Sequence, residues 1–257
     1  MNDFSISFEY NMQNNTENDI LQLPEKIAIE KGIQIVICID EFQQISDFED
    51  SKTFQKKLRS VWQLQQHVSY CLFGSKKHLM NELFEKKNLP FYKFGDAIYL
   101  AKIETKYWIE YICKRFENTG KHISPELAEE ICRLVDNHSS YVQQLSWLLW
   151  IRTINTATTE QLSYALEDLL DQNNILFQSE TENLSAYQMN FLKAIVDGIH
   201  TKFSSKEVIS KYNLGTSANI VRLKNALLQK ELIETNGKEI VLADPVFGVW
   251  FKKEMLY

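Results

Sequence analysis

The sequence predicts a helix-rich protein with a partial parallel-sheet α/β core, then a helical domain, then a C-terminal winged helix. Three observations lead there. Two apolar runs, Ile33 to Ile39 and Val68 to Phe73, flank a helical pattern, as in a strand–helix–strand unit of a parallel sheet. From Glu104 onward helical patterns follow one another with short polar breaks. Near the end, Asn236-Gly237 sits between two short apolar runs and follows three helical patterns, the order of a winged helix-turn-helix. The expected boundaries are 1–103 for the α/β core, 104–178 for the helical domain and 179–257 for the winged helix.

Taken in order, Phe4, Ile6 and Phe8 alternate with polar residues as a strand would, before an Asn-rich break. Ile20, Leu21, Leu23, Ile27 and Ala28 then predict a helix with Pro24 near its start and Gly32 at its end. Ile33 to Ile39 is apolar and β-branched, the pattern of a strand covered on both faces, and it runs into Asp40-Glu41. Phe54, Leu58, Val61 and Trp62 recur at helical spacing before the second strand, which ends in Gly74-Ser75. A last short strand is expected at Ala97 to Leu100.

In the second half, helices are expected at Tyr107 to Phe116, from Ser124-Pro125, and at Tyr141 to Ile151. Thr158 with Gln161 makes a capping-box pattern for a further helix, and the polar stretch 178–183 reads as a linker. The winged helix would comprise helices opened by Ser185 with Gln188, by Ser204 with Glu207, and from Ser217 to Gln229. Strands at Leu232-Ile233 and Ile240 to Leu242 and an aromatic last helix complete it. Trp147, Trp150, Trp250 and Phe251 are expected in the core.

Bulk properties narrow the function classes. The chain has 257 residues and a formal charge of −6, which argues against a broad surface for gripping phosphate backbones. Cys38, Cys71, Cys113 and Cys132 form no C-x-x-C pair and read as reduced core residues. No run reaches the ~20 apolar residues of a membrane span, and no basic-then-apolar leader opens the chain, so the cytoplasm is the default location.

The chemistry concentrates at the strand ends. An apolar strand ending in Asp-Glu places two carboxylates at the carboxyl edge of a parallel sheet, where ligands bind in open α/β folds. In the second phosphate-site motif of P-loop ATPases, an acid at the position of Asp40 holds magnesium. An acid at the position of Glu41 orients and deprotonates the attacking water. Ser75, at the tip of the next strand, would sense a terminal phosphate or its water, and Lys76 or Lys77 would neutralise phosphate charge. The structural alternative is a pair of solvated loop acids and a simple Gly-Ser turn.

The stretches IVICIDEFQ from Ile35 to Gln43, LRSVWQ from Leu58 to Gln63 and VSYCLFGSKKHLM from Val68 to Met80 resemble the archaeal-type ATPase family, in the signal-transducing branch of the AAA+ ATPases. The resemblance covers nearly the whole chain, since that family follows a P-loop NTPase core with a helical lid and a winged helix. It implies ATP and Mg2+ as cofactors, Asp40 and Glu41 as the magnesium and water-activating acids, and Ser75 as the sensor.

Two departures qualify it. No two of the eight glycines stand five positions apart, so the phosphate loop G-x-x-x-x-G-K-[ST] is absent in every register. With a first strand so close to Met1, the chain reads as a truncated ATPase, able to hydrolyse ATP only when completed by a phosphate loop. The open side of such a sheet would favour oligomerisation. The lid has His138-Ser139-Ser140 where related ATPases carry a Gly-x-Pro turn, and His138 itself reads as a surface or capping residue.

Two other functions compete. One is a winged-helix regulator of nucleic acids, with Arg222 and Lys224 as candidate phosphate contacts and Asn219 and Asn225 near base edges. The other is a pseudoATPase that serves an unidentified protein partner. No membrane partner is expected.

Overall fold

The computed structural model describes residues 17–256, so the strand expected at Phe4 to Phe8 lies outside the described residues. The chain divides into two compact units, Met1–Tyr99 and Leu100–Tyr257.

In the first unit, α1 (Glu17–Lys31) starts earlier than expected, which puts Pro24 inside the helix rather than at its start. An interior proline forfeits one backbone bond and costs about 3 kcal/mol. Tertiary ties hold the helix: Glu25 accepts from the backbone N–H groups of Gln66 and His67, both at 3.0 Å, and contacts His67 Nδ1 at 2.9 Å. Gly32, with φ 62°, ends the helix in the left-handed conformation that glycine tolerates without a Cβ penalty.

Strands β1 (Ile35–Ile39) and β2 (Val68–Leu72) pair in parallel, in register from Ile35 opposite Val68 to Ile39 opposite Leu72. Between them lie a 3-10 turn at Phe42–Asp47 and α2 (Ser51–Trp62). The helix α3 (Lys77–Glu85) follows β2. One sheet face packs on Phe42, Leu58, Trp62, Leu83 and Phe91, all buried, and Trp62 stacks on Tyr70 with ring centroids 4.0 Å apart. Such ring pairs contribute roughly 0.5–1.5 kcal/mol beyond their buried area.

The other sheet face departs from expectation. Val36 is 65% exposed, and Cys38, Cys71 and Phe73 are exposed as well, so β1 is not covered on both faces by the described residues. Nor do residues 97–100 form a strand. Ile98 and Leu100 are 85% and 93% exposed, and β-branched composition alone cannot make a strand without a paired neighbour.

The second unit is helical: α4 (Thr105–Glu117), α5 (Pro125–Leu134), α6 (Ser139–Arg152), α7 (Thr159–Glu182), α8 (Ala186–Val196), α9 (Lys206–Lys211), α10 (Ser217–Gln229) and α11 (Pro245–Leu256). Two of the three expected caps form as capping boxes, at Thr158/Gln161 and Ser185/Gln188, whereas the Ser204/Glu207 pair does not, because α9 is capped by Ser205. The expected linker is the last part of α7, because Phe177 and Thr181 are buried there and pull the polar stretch into the helix. Phe177 packs edge-on to Phe247, and Trp250 donates its Nε1–H to Asn174 Oδ1 at 2.8 Å, so one hydrophobic core runs through α4 to α11. Trp250 and Phe251 are core as expected. Trp147 is 57% exposed, since it points away from the side of α6 that buries Leu145, Leu148 and Leu149.

Strands β3 (Ile233–Asn236) and β4 (Glu239–Leu242) form the antiparallel wing. The two-residue loop is Gly237-Lys238, one position later than the dipeptide signal suggested, with Gly237 at φ 61° as the first loop position of such a turn requires. No helix among the described residues is long and apolar enough to cross a membrane.

Candidate functional site

The parallel ladder carries three of the predicted residues to one place. Past the last register pair, Phe73 N–H bonds Ile39 O at 3.1 Å and Phe42 N–H bonds Phe73 O at 3.0 Å, so the two strand ends stay locked beyond the strands themselves. Between these bonds sit Asp40 and Glu41. Glu41 adopts the left-handed conformation, φ 49° and ψ 40°, which is uncommon for a residue with a side chain and turns the chain sharply out of the sheet.

That turn aims the Glu41 carboxylate at the end of β2. Ser75 donates its backbone N–H to Oε1 at 3.3 Å and its hydroxyl to Oε2 at 3.1 Å, and Gln43 donates its amide to Oε2. Asp40 is exposed, and its Oδ1 accepts the Glu41 N–H at 2.8 Å. Lys76 follows as the residue before α3. The Ser75 hydroxyl, chiefly, holds the Glu41 carboxyl below the usual carboxylate range. The Gln43 amide, the Ser75 N–H and the Lys76 charge act in the same sense, against a smaller opposing effect of burial. Each of these donors favours the ionised form.

Gln43 is the residue that sequence reasoning did not single out. It is 2% exposed, and its Oε1 is buried without a hydrogen-bond partner. It sits so close to Gly74 that a Cβ there would lie 1.8 Å from Gln43 Oε1. Gly74 has no left-handed φ, so it serves close approach and not a turn. A glycine immediately before the predicted sensor was the available signal.

The remaining candidates do not form a second cluster. On α10, Arg222 is exposed and Lys224 half-buried. Two residues apart on a helix they stand about 200° apart around the axis, so they cannot face one groove together. Asn219 is engaged within its own turn, donating to Leu214 O at 2.9 Å and accepting from Arg222 at 3.1 Å. At the start of α6, Asp136 and Asn137 are both left-handed, and His138 is the N-cap without a side-chain capping bond. Among the described residues no group of three or more His, Cys, Asp or Glu could hold a metal ion.

The fold is a parallel α/β core followed by a helical region and a C-terminal winged helix. A family model described as a probable winged helix domain matches residues 175–253. Among solved structures, a Walker-type ATPase of Pyrococcus abyssi matches with a TM-score of 0.71 at 16% identity, over 95% of this chain and 72% of that one. An ORC2 protein of Aeropyrum pernix (ADPNP-ADP complexes) matches more loosely, with TM-score 0.47, 13% identity and coverage of 97% and 73%. So does the RuvB Holliday junction branch migration motor of Thermotoga maritima, with TM-score 0.44, 13% identity and coverage of 95% and 76%. At 16% identity the likeness to the Pyrococcus protein is one of fold alone. No curated protein matches the chain.

Proposed function

We propose that this chain carries the magnesium- and water-handling side of an ATP-dependent switch of the signal-transducing AAA+ type. Asp40 is the magnesium ligand, Glu41 orients and deprotonates the attacking water, Ser75 senses the terminal phosphate, and Lys76 offsets phosphate charge. The observation that carries the reading is the double hydrogen bond from Ser75 to Glu41 at the carboxyl end of two parallel strands. An exposed Asp40 carboxylate beside Glu41 and a serine hydroxyl is an all-oxygen donor set suited to hydrated Mg2+. When bound, the ion neutralises and orients phosphate oxygens.

The phosphate side does not fit in the same way. The sequence has no phosphate loop, so it lacks the backbone cradle and lysine that hold the β- and γ-phosphates, and its own affinity for ATP is low. In this reading the arrangement at Glu41 belongs to a resting state. Both Glu41 oxygens accept hydrogen bonds that favour the carboxylate, and a carboxyl with a lowered pKa is a weak base. In this reading Glu41 would become a stronger base once the Ser75 hydroxyl is no longer donated to it.

The partner in this reading is a protein. The solvent-facing stripe of α10, formed by Ala218, Val221, Arg222, Asn225 and Gln229, carries a single charge, which favours a protein surface over a phosphate backbone.

Calorimetric titration with Mg2+-ATP tests the reading, on this chain and on one extended upstream by a strand–loop–helix bearing the phosphate motif. Binding is expected in the extended chain alone, with Glu41→Gln keeping ATP and losing turnover. Tight binding by this chain unaided, or undiminished turnover with Glu41→Gln, would overturn it.

A further inference from the structure

Cys38 and Cys71 are direct partners in the β1–β2 register, and both are exposed. Strand alternation puts them on the same face: Ile37, Ile39, Tyr70 and Leu72 turn toward the core, while Val36, Cys38, Ser69 and Cys71 turn away from it. Neighbouring strands lie about 4.8 Å apart, within the roughly 4.4–6.8 Å separation of Cα atoms that a disulfide spans. The other two thiols differ in kind. Cys132 is fully buried, and Cys113 is half-buried with its thiol directed at Ile123 O, 3.8 Å away.

We propose that Cys38 and Cys71 form a reversible thiol–disulfide site, closed by a low-molecular-weight disulfide such as oxidised glutathione. One cysteine thiolate attacks the small disulfide, forming a mixed disulfide and releasing one glutathione thiolate. The second cysteine thiolate attacks the protein sulfur of that mixed disulfide and releases the other. The two cysteines give up two protons and two electrons, and the small disulfide becomes two thiols. The bridge is easily reduced, because Cβ bonds on parallel strands run side by side instead of converging. Their separation stays near the strand spacing, wider than the roughly 3.5–4.5 Å of a relaxed disulfide. Its position gives it a consequence. Cys38 lies two residues before Asp40 and Cys71 four before Ser75, so oxidation fastens together the two strands whose tips form the Ser75–Glu41 pair.

Thiol counting on the folded protein tests this. After incubation with oxidised glutathione, acid quenching and alkylation, two of the four thiols are expected to be lost to alkylation. A tryptic species joining peptides 32–52 and 60–76 should appear and return to free thiols with dithiothreitol. Cys132 remains unmodified as the internal sign that the protein stayed folded. With Cys38→Ser, an unresolved glutathione adduct at Cys71 is expected, and with Cys71→Ser one at Cys38. Retention of both thiols in the unsubstituted protein would overturn the proposal. So would glutathione adducts on both cysteines without the joined peptide, or a joined peptide found only in covalent dimers.

Discussion

Ser75 donates two hydrogen bonds, from its backbone N–H and from its hydroxyl, to the carboxylate of Glu41, a residue 34 positions earlier in the chain. The parallel register of β1 and β2 makes this possible by ending both strands at the same level, and the left-handed turn at Glu41 completes it. Ser75→Ala keeps the backbone donor and removes the hydroxyl, which is the largest influence holding the Glu41 carboxyl low. The Glu41 pKa is expected to rise toward the ordinary glutamate value. A carboxyl-carbon NMR titration of both proteins reads it, and an unmoved titration would mean that the hydroxyl is not directed at Glu41 in solution.

Gly74 and Gln43 are predicted to be coupled. A Cβ at position 74 would lie 1.8 Å from Gln43 Oε1 and 2.9 Å from its Cδ, so Gly74→Ala must displace the amide end of a buried side chain. Overpacking of this kind costs typically 1–3 kcal/mol, here about 2 kcal/mol. Gln43→Ala should remove most of that cost when combined with Gly74→Ala. Urea unfolding of variants that keep Trp62 as the sole tryptophan, followed by its fluorescence, gives the double-mutant cycle, and simple additivity would rule out the contact.

The second unit holds a carboxyl that works against it at neutral pH. Burial, then the charge of Asp244, raises the pKa of Glu180, while Tyr141 donates its hydroxyl to Asp244 at 2.5 Å. A carboxyl with a raised folded-state pKa binds its proton more tightly when folded. Its favourable contribution is therefore full below the unfolded-state pKa and is lost as pH rises through the folded-state value. Glu180→Gln mimics the protonated form, so it should raise the melting temperature at pH 7 by a few degrees and change it little near pH 4. Melting curves at the two pH values check this, and an equal effect at both would assign the gain to something other than titration.

Much of this was legible in the sequence, for reasons specific to each element. The strand–helix–strand unit and the capping boxes at Thr158 and Ser185 were readable because period and cap chemistry are local signals. The acid pair at the strand tip was readable because topology forces strand ends together. Gln43 was not, because its role depends on a contact with Gly74, 31 positions away. The exposure of Cys38 and Val36 was not either, since an apolar run carries no record of what covers each face. Residues 178–182 were misread as a linker because polar composition hid the buried Phe177 and Thr181 that anchor α7 there.

The winged helix yields the last prediction, which separates two lysine and arginine positions that the sequence presents as neighbours. Arg222 lies on the solvent stripe of α10 with Ala218, Val221, Asn225 and Gln229, whereas Lys224 is half-buried about 200° away around the axis. Any binding of duplex DNA through α10 must therefore use Arg222 and leave Lys224 out. Arg222→Ala should weaken such binding and lower the slope of log K against log salt by about 1, the contribution of one phosphate contact. Lys224→Ala should leave both unchanged. Fluorescence anisotropy over a salt series distinguishes them. Equal losses from the two substitutions would mean that DNA meets the unit elsewhere than along the exposed stripe of α10, and that the charge of the whole unit decides the affinity.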